Sequence, residues 1–246
     1  MGLLLLPSMH FDDLSFPESF FFKFQVSADG KMWKMASNIK EDMQGGGVRL
    51  NLVTWSSLIN AYANSGLVDR AIEILEEMIR DGCQPTAPCF NIILTACLKS
   101  CQYDRAFRLF YSWKKSGIKI FLSPEQKRCL DGAFTFCKEY PSNDGTILVV
   151  PFRPTVTTYN ILMKACGTNA ERAKSVMNEM RRSGLCPDLI SWSILMDIYG
   201  TSQNRDGAVQ VNQSFMLIFF AQYDLLQYFV RYLSHQVNTS PHSMPS

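Results

Sequence analysis

Along the middle of the chain, apolar residues fall at helical spacing in short blocks, and each block opens on an aromatic ring. Trp55/Leu58/Ile59/Tyr62, Phe90/Ile93/Leu94/Cys97, Tyr159/Leu162/Met163/Cys166 and Trp192/Leu195/Met196/Tyr199 share one spacing of i, i+3, i+4 and i+7. That spacing lays a single apolar stripe along a helix. A second kind of stripe follows in two of the blocks, as Val68/Ala71/Ile72/Leu75/Met78/Ile79 and as Tyr103/Ala106/Phe107/Phe110/Trp113. Gly66 separates the two stripes of the first block, and Gly82 and Gly117 follow the second stripe, where a left-handed C-cap belongs. The pattern predicts helical hairpins.

The hairpins repeat. Ala36, Ala71 and Ala106 recur at intervals of 35 residues, as do Gly47, Gly82 and Gly117, and Met43, Met78 and Trp113. Further along, Ala173, Met180 and Gly184 keep the internal spacing of Ala71, Met78 and Gly82. The small residue at Ala71 and Ala106 lets two helices approach closely. Independent amphipathic helices in a bundle leave the fixed period unexplained. Stacked repeats explain it, because each hairpin buries its apolar face only against its neighbour. The predicted fold class is therefore all-α, an α-solenoid of helix-turn-helix hairpins.

The landmarks divide the chain into a non-repeat segment (1–32), a partial repeat (33–51), two repeats (52–121), an interruption (122–155), one repeat plus an incomplete one (156–211) and an atypical tail (212–246). The interruption carries Pro124, Pro141, Pro151 and Pro154 and none of the landmarks. It reads as an inserted loop with a short helix over Glu125–Lys138, or as a degenerate repeat. The unit Val156–Asp188 is two residues short, with the deficit between Asn160 and Ala173, and the last unit keeps register to Ala208. After Val211 the register fails, and the tail reads as an alternative or mispredicted exon, as a retained intron, or as a capping helix over Gln213–Leu233. Entry in mid-repeat and loss of register at the other end are what a piece of a longer array would show.

Composition narrows the chemistry. A formal net charge of +2 over 246 residues is far below that of a protein that holds phosphates mainly with Lys and Arg, so any nucleic-acid reading rests on pattern. The eight cysteines are scattered and read as reduced, packed residues. Cys97 and Cys101 share a helix face at i, i+4, but two thiols do not complete a zinc site. His10, His235 and His242 lie near the termini, and no CxxC pair occurs. The amino end fits neither a signal nor a transit peptide: Pro7 cuts the Leu3–Leu6 run, and Asp12, Asp13 and Glu18 follow. Gln222, Asp224, Gln227 and Arg231 interrupt the apolar stretch Phe215–Leu233, so no membrane insertion is expected. With no nucleotide-binding glycine loop, metal cluster or nucleophile motif, neither catalysis nor a cofactor is expected. Asp69, Glu73, Glu76 and Glu77 read as a solvated helix face.

The units VTWSSLINAYANSGLVDRAIEILEEMIRDGCQPT and VTTYNILMKACGTNAERAKSVMNEMRRSGLCPD resemble pentatricopeptide repeats of the plain, P-class type, abundant in plant chloroplasts and mitochondria. Their period also separates them from tetratricopeptide repeats, which recur at roughly 34 residues. The resemblance covers about Trp33–Ala208 without the insert. It implies a right-handed superhelix whose first helices line a groove for single-stranded RNA, with one nucleotide read per repeat. It further implies a role in stabilising, processing or splicing organellar transcripts, with other RNA-processing proteins as partners. The location it implies is the chloroplast, with the mitochondrion as alternative.

Carried onto this chain, the resemblance makes Ser56, Asn91, Asn160 and Ser193 the readers just after the first helix's aromatic residue. The second reader is the last residue of the repeat: Asn51, Thr86, Phe121 and Asp188. Val53, Thr157 and Ile190 would flank bases three positions before the reader, with Pro88 as a departure. Asn160 with Asp188 resembles a uracil-preferring pair, Ser56 with Thr86 has a weak purine leaning, and Asn91 with Phe121 departs from the rule. Lys99 stands where the family often places a base that meets phosphate. The chemistry agrees, since a splayed base needs hydrogen bonds on its edge and flat contact on its faces. Asn51, Thr86 and Asp188 are also good helix N-caps, and both roles stay open for them. A protein-binding helical-repeat scaffold and a truncated product with little activity of its own remain the other readings.

Overall fold

The computed structural model describes residues 33–130, 137–142 and 144–202, with positions 207, 209, 213 and 216 besides. The expectations for residues 1–32, for Ala208 and for nearly all of Gln213–Leu233 lie outside the described residues, as do His10, His235 and His242. The chain forms two compact units, residues 1–165 and 166–246.

In the first unit, α1 (Trp33–Gly45), α2 (Leu52–Asn64), α3 (Val68–Arg80), α4 (Ala87–Lys99) and α5 (Tyr103–Ser116) follow one another. The helices α2 and α3 form one hairpin and α4 and α5 the next, with α4 packed on both helices of the first. The stripes read from the sequence are the surfaces buried: Leu58, Ile93 and Leu94 have no exposed area, and Ala71 and Ala106 vanish between helices. Tyr103 departs from its stripe and is 41% exposed, because it opens α5 and points away from the hairpin contact.

Second helices are also joined across repeats by ion pairs. Lys40 of α1 meets Glu77 of α3, and Arg105 of α5 meets Asp69 of α3. The hydrogen-bonded Arg105 guanidinium holds the Asp69 carboxyl below the usual carboxylate range.

The glycine column keeps positive φ throughout, although Gly117 departs from the expected left-handed C-cap through its extended ψ of −174°. Gly47, Gly82, Gly117 and Gly184 all take positive φ, between 66° and 83°. Cys101 corrects one expectation. The helix α4 ends at Lys99, so Cys101 does not share a face with Cys97; it occupies the following turn at φ 56°. Gly66, 35 residues earlier, fills the equivalent place at φ 79°. A left-handed side chain there costs about 1–2 kcal/mol that glycine does not. The buried thiols behave as packed groups: burial pushes Cys97 up, and Cys166 up to about 11.

The interruption is the main departure. In place of a loop or a worn repeat, the chain builds an antiparallel sheet of β1 (Ile118–Leu122), β2 (Lys138–Ser142) and β3 (Gly145–Val150), in the order β1-β3-β2. The sheet begins inside the span assigned to the second repeat. The departure starts at Gly117, whose φ 66° and ψ −174° belong to a region open essentially to glycine alone and send the chain out extended. Alternation then does the rest: Ile118, Ile120 and Leu122 of β1 and Leu148 and Val150 of β3 are buried on one face.

The short helix is real but smaller than expected, α6 (Pro124–Cys129), and its Ser123/Gln126 capping box closes its start. The prolines that argue against regular structure occupy permitted places. Pro124 is in the first turn of α6, Pro141 is on edge strand β2, and Pro151 and Pro154 follow β3. Phe152 then plugs the sheet's exit into the helical core, with ring centroids 4.8 Å from Phe90 and 5.9 Å from both Phe110 and Trp113.

Beyond the sheet, α7 (Val156–Lys164) stacks on α4, as α4 stacks on α2. The row of first helices thus resumes across the insert. The two-residue deficit is accompanied by a shorter helix: α7 has 9 residues where α2 and α4 have 13. In the second unit, α8 (Ala170–Arg182) packs against α9 (Leu189–Thr201), and the Arg181 guanidinium lies 5.2 Å from the centre of the Trp192 ring.

Candidate nucleic-acid interface

Each first helix starts on a polar residue, and the side chains of Asn51, Thr155 and Asp188 cap it while that of Thr86 does not. Asn51 Oδ1 accepts the backbone N–H groups of Val53 (3.0 Å) and Thr54 (2.9 Å), while Thr54 Oγ1 accepts the N–H of Asn51 (2.8 Å). Asp188 Oδ1 accepts the N–H of Ser191 at 2.7 Å and its hydroxyl at 2.8 Å. Thr155 caps α7 through Thr158 in the same reciprocal way. Thr86 caps nothing with its side chain; its hydroxyl instead lies 3.7 Å from Cys89 Sγ. Capping therefore engages Asn51 and Asp188 and leaves Thr86 exposed for another use. Phe121, at the last position of its repeat, lies in β1 and is 49% exposed.

The residues expected as readers sit in different surroundings at each position. Ser56 Oγ donates to the Leu52 carbonyl (2.7 Å) and stands 3.4 Å from Cys89 Sγ. Ser56, Cys89 and Thr86 thus form one chain of polar atoms, which brings the predicted Ser56/Thr86 pair together around a buried thiol. Asn91 is half-buried, and its Oδ1 accepts the Thr158 hydroxyl at 2.8 Å. This bond fixes the amide with its carbonyl oxygen engaged, so the –NH2 group is the side that remains to donate. In the second unit, Ser193 is exposed and donates to the Leu189 carbonyl at 2.9 Å, as Ser56 does to Leu52. Asn160 is 6% exposed, much less open than the other three readers.

Cys89 and Thr158 were missed by reading the sequence for readers alone. Both occupy the third position of their helix, in a column with Thr54 and Ser191. The signal was a small polar or thiol residue two places before every reader. In this unit it contacts the reader of the preceding repeat.

The flanking positions are open. Val53 is 46% exposed and Ile190 57% exposed, and Pro88 and Thr157 are exposed as well. Between α2, α4 and α7 lies a cavity of about 580 Å3, whose walls include Asn60, Asn64, Pro88, Asn91, Lys99 and Thr157. No acidic side chain lines it. Lys99 Nζ donates to Asn64 Oδ1 at 2.8 Å, which holds the cation across two successive first helices. The groove thus combines amide edges, apolar or β-branched faces and one positioned cation. Among the described residues no cluster of three or more His, Cys, Asp or Glu side chains is arranged to hold a metal ion, and no helix is long and apolar enough to cross a membrane.

Comparison with known proteins gives three profile matches: a pentatricopeptide repeat domain over residues 38–100, a pentatricopeptide repeat over 88–118 and the pentatricopeptide repeat family over 154–200. A chloroplastic pentatricopeptide repeat-containing protein of Arabidopsis thaliana is 45% identical over 202 residues, covering 76% of this chain and 24% of the relative. A putative mitochondrial relative from the same plant is 25% identical over 158 residues, covering 64% of this chain and 25% of the relative. Among solved structures, the pentatricopeptide repeat protein PPR10 in complex with an 18-nt psaJ RNA element matches with a TM-score of 0.57 at 16% identity, over 80% of this chain and 24% of that one. The chain thus spans about a quarter of the length of each of these proteins.

Proposed function

The chain belongs to the pentatricopeptide-repeat family, and from that premise we propose that it binds single-stranded RNA along the row of first helices, in organellar RNA metabolism. The observation that carries the reading is the groove between α2, α4 and α7, where Asn91 presents an oriented amide beside Pro88, Thr157 and Lys99. One nucleotide per repeat is carried over from the family resemblance. The Asn91 –NH2 group donates to an acceptor on a base edge, and the flanking residues cover its faces. The chloroplast is the proposed compartment, in line with the chloroplastic relative.

Magnitudes set the expected affinity. Each stacked base contributes about 1–3 kcal/mol. Two or three competent readers give a gross gain of about 2–9 kcal/mol before ordering costs, whereas a 1 μM complex needs about −8.2 kcal/mol net. The chain alone should bind short RNAs weaker than about 1 μM.

Fluorescence anisotropy with a pool of short labelled RNAs, at low and moderate salt, tests the reading. Asn91→Ala should blunt base preference while the fold, followed by circular dichroism, stays intact. An absence of RNA binding at any salt, or a base preference that Asn91→Ala leaves untouched, would move the function to a protein scaffold.

A further inference from the structure

The inserted sheet has two faces, and only one is used for packing. On the other, the register aligns two rows across the strands: Lys119–Val149–Lys138, and next to it Phe121–Ile147–Tyr140. Paired residues in an antiparallel ladder share a face, and positions two apart on a strand share it too. Phe121 is 49% and Tyr140 51% exposed, so a half-bare aromatic row lies beside a basic one. A cavity of about 550 Å3 opens over this face, with Lys115, Lys119, Lys138, Tyr140, Ile147 and Val149 among its walls and no acidic side chain. Glu139 belongs to the opposite face by alternation and pairs with Lys127 at 3.0 Å. Lys114, at the rim, is turned to the Tyr159 hydroxyl at 2.9 Å.

A mundane account covers part of this. Strands β1 and β2 are the sheet's edges, and lysine and proline on an edge block pairing with other chains. That account explains Lys138 and Pro141. It leaves unexplained two large aromatic side chains half in water on the same face, which an edge designed only against aggregation would omit. Flat rings that stack bases, flanked by cations that meet phosphates, are the chemistry of single-strand recognition on a sheet.

We propose that the open face of this sheet is a second single-stranded RNA contact, with Tyr140 and Phe121 stacking bases and Lys115, Lys119 and Lys138 meeting phosphates. It rests on the reading of the chain as an RNA binder but uses none of the groove's residues. The platform takes RNA without base preference, because every base offers a π-face. It also carries most of the salt dependence. The groove holds Lys99 and the platform three lysines; at about −0.7 per phosphate contact on a single strand, the slope of log K against log salt is about −0.7 from the groove and about −2 from the sheet.

The test is a salt titration of RNA binding to the full chain by anisotropy, using a labelled oligouridylate and a labelled mixed-sequence RNA. It compares wild type with the Lys119→Ala/Lys138→Ala and Tyr140→Ala variants, with Tyr140→Phe, and with the groove variant Asn91→Ala. All three altered side chains on the sheet are exposed, and an unchanged thermal midpoint confirms that each variant is folded. The proposal expects the double lysine variant to lose about 1.4 units of slope. It expects Tyr140→Ala to bind both RNAs about tenfold more weakly and Tyr140→Phe to bind like wild type. Asn91→Ala should alter only the preference between the two RNAs. If the sheet variants match wild type in affinity and slope while Asn91→Ala still acts, the platform is refuted and the groove stands. If wild type binds neither RNA, both fall together.

Discussion

Phe152 is the point at which the inserted sheet is tied to the helical repeats, and replacing it with alanine isolates that tie. The side chain is 7% exposed, and its ring is packed among Phe90 of α4 and Phe110 and Trp113 of α5. Truncating a buried phenylalanine costs about 3–5 kcal/mol, and the value rises when the surroundings cannot collapse into the space. Here three rings held by two helices form the wall, while Phe152 itself belongs to a connecting segment that can shift. We therefore expect a loss near 3 kcal/mol.

Urea unfolding followed by circular dichroism reads this as a fall in midpoint of about 1–2 M, for an m-value of about 1.5–3 kcal/mol/M. Repeat arrays need not unfold in one step, so amide hydrogen exchange supplies a second reading. Protection should drop at Ile118–Leu122 and Gly145–Val150 and persist in α2 and α3. Phe152→Leu, which keeps most of the volume, should cost less than about 1.5 kcal/mol. A loss below about 1 kcal/mol for Phe152→Ala, or a loss of protection spread evenly over all helices, would refute the anchoring role.

Two further substitutions probe the frame around the site. At Gly117 an added Cβ would lie 2.6 Å from the Val150 carbonyl oxygen and 2.9 Å from Val149 Cγ1, at a φ of +66°. Gly117→Ala should destabilise by about 2–4 kcal/mol from strain and overpacking together; a urea midpoint matching wild type would contradict the placement of β3 against the end of α5. Asp69→Asn removes the pair with Arg105; the Asp69 carboxylate is 79% exposed, so the cost at neutral pH is below about 1 kcal/mol. Because the Asp69 pKa is depressed in the folded chain, the contribution is fully present above the ordinary carboxylate pKa of about 3.9 and is lost as pH falls through the lower folded value. Wild type and variant should therefore differ in thermal midpoint at pH 7 and converge in strong acid; a constant difference across that range would assign the effect to packing.

The hairpins were legible in the sequence because a solenoid places every repeat in the same surroundings. Ala71 and Ala106 meet the same constraint, as do Gly47, Gly82, Gly117 and Gly184, so one requirement is written several times and stands out from the background. The sheet has no such redundancy. Its strands are written once, as IKIFL and GTILVV, and the prolines around them read as breakers until their edge and terminal places are known. The residues expected as readers were picked out by the same repetition. The bonds that orient them were not, because Asn91–Thr158 and Ser56–Cys89 join adjacent repeats through a column whose hydroxyls also serve as caps.

The insert also explains how one repeat array tolerates a foreign element without losing its register. Residues 81–86 join α3 to α4, and residues 117–155 make the corresponding connection from α5 to α7. Lengthening a flexible connection by that ratio costs only about 1.5–2 kcal/mol of closure entropy, since the cost grows with the logarithm of length. Burying one phenylalanine side chain returns about 1.5–3 kcal/mol, so Phe152 alone offsets the longer path before the sheet's own core of Ile120, Leu122, Leu148 and Val150 is considered. Nothing in the stacking of α7 on α4 then opposes the insert, because equivalent positions meet in each pair: Thr158 with Asn91 across α7 and α4, and Cys89 with Ser56 across α4 and α2. The sheet is free to carry side chains that the repeats have no reason to specify, and the row of Phe121, Ile147 and Tyr140 is where that freedom has been used.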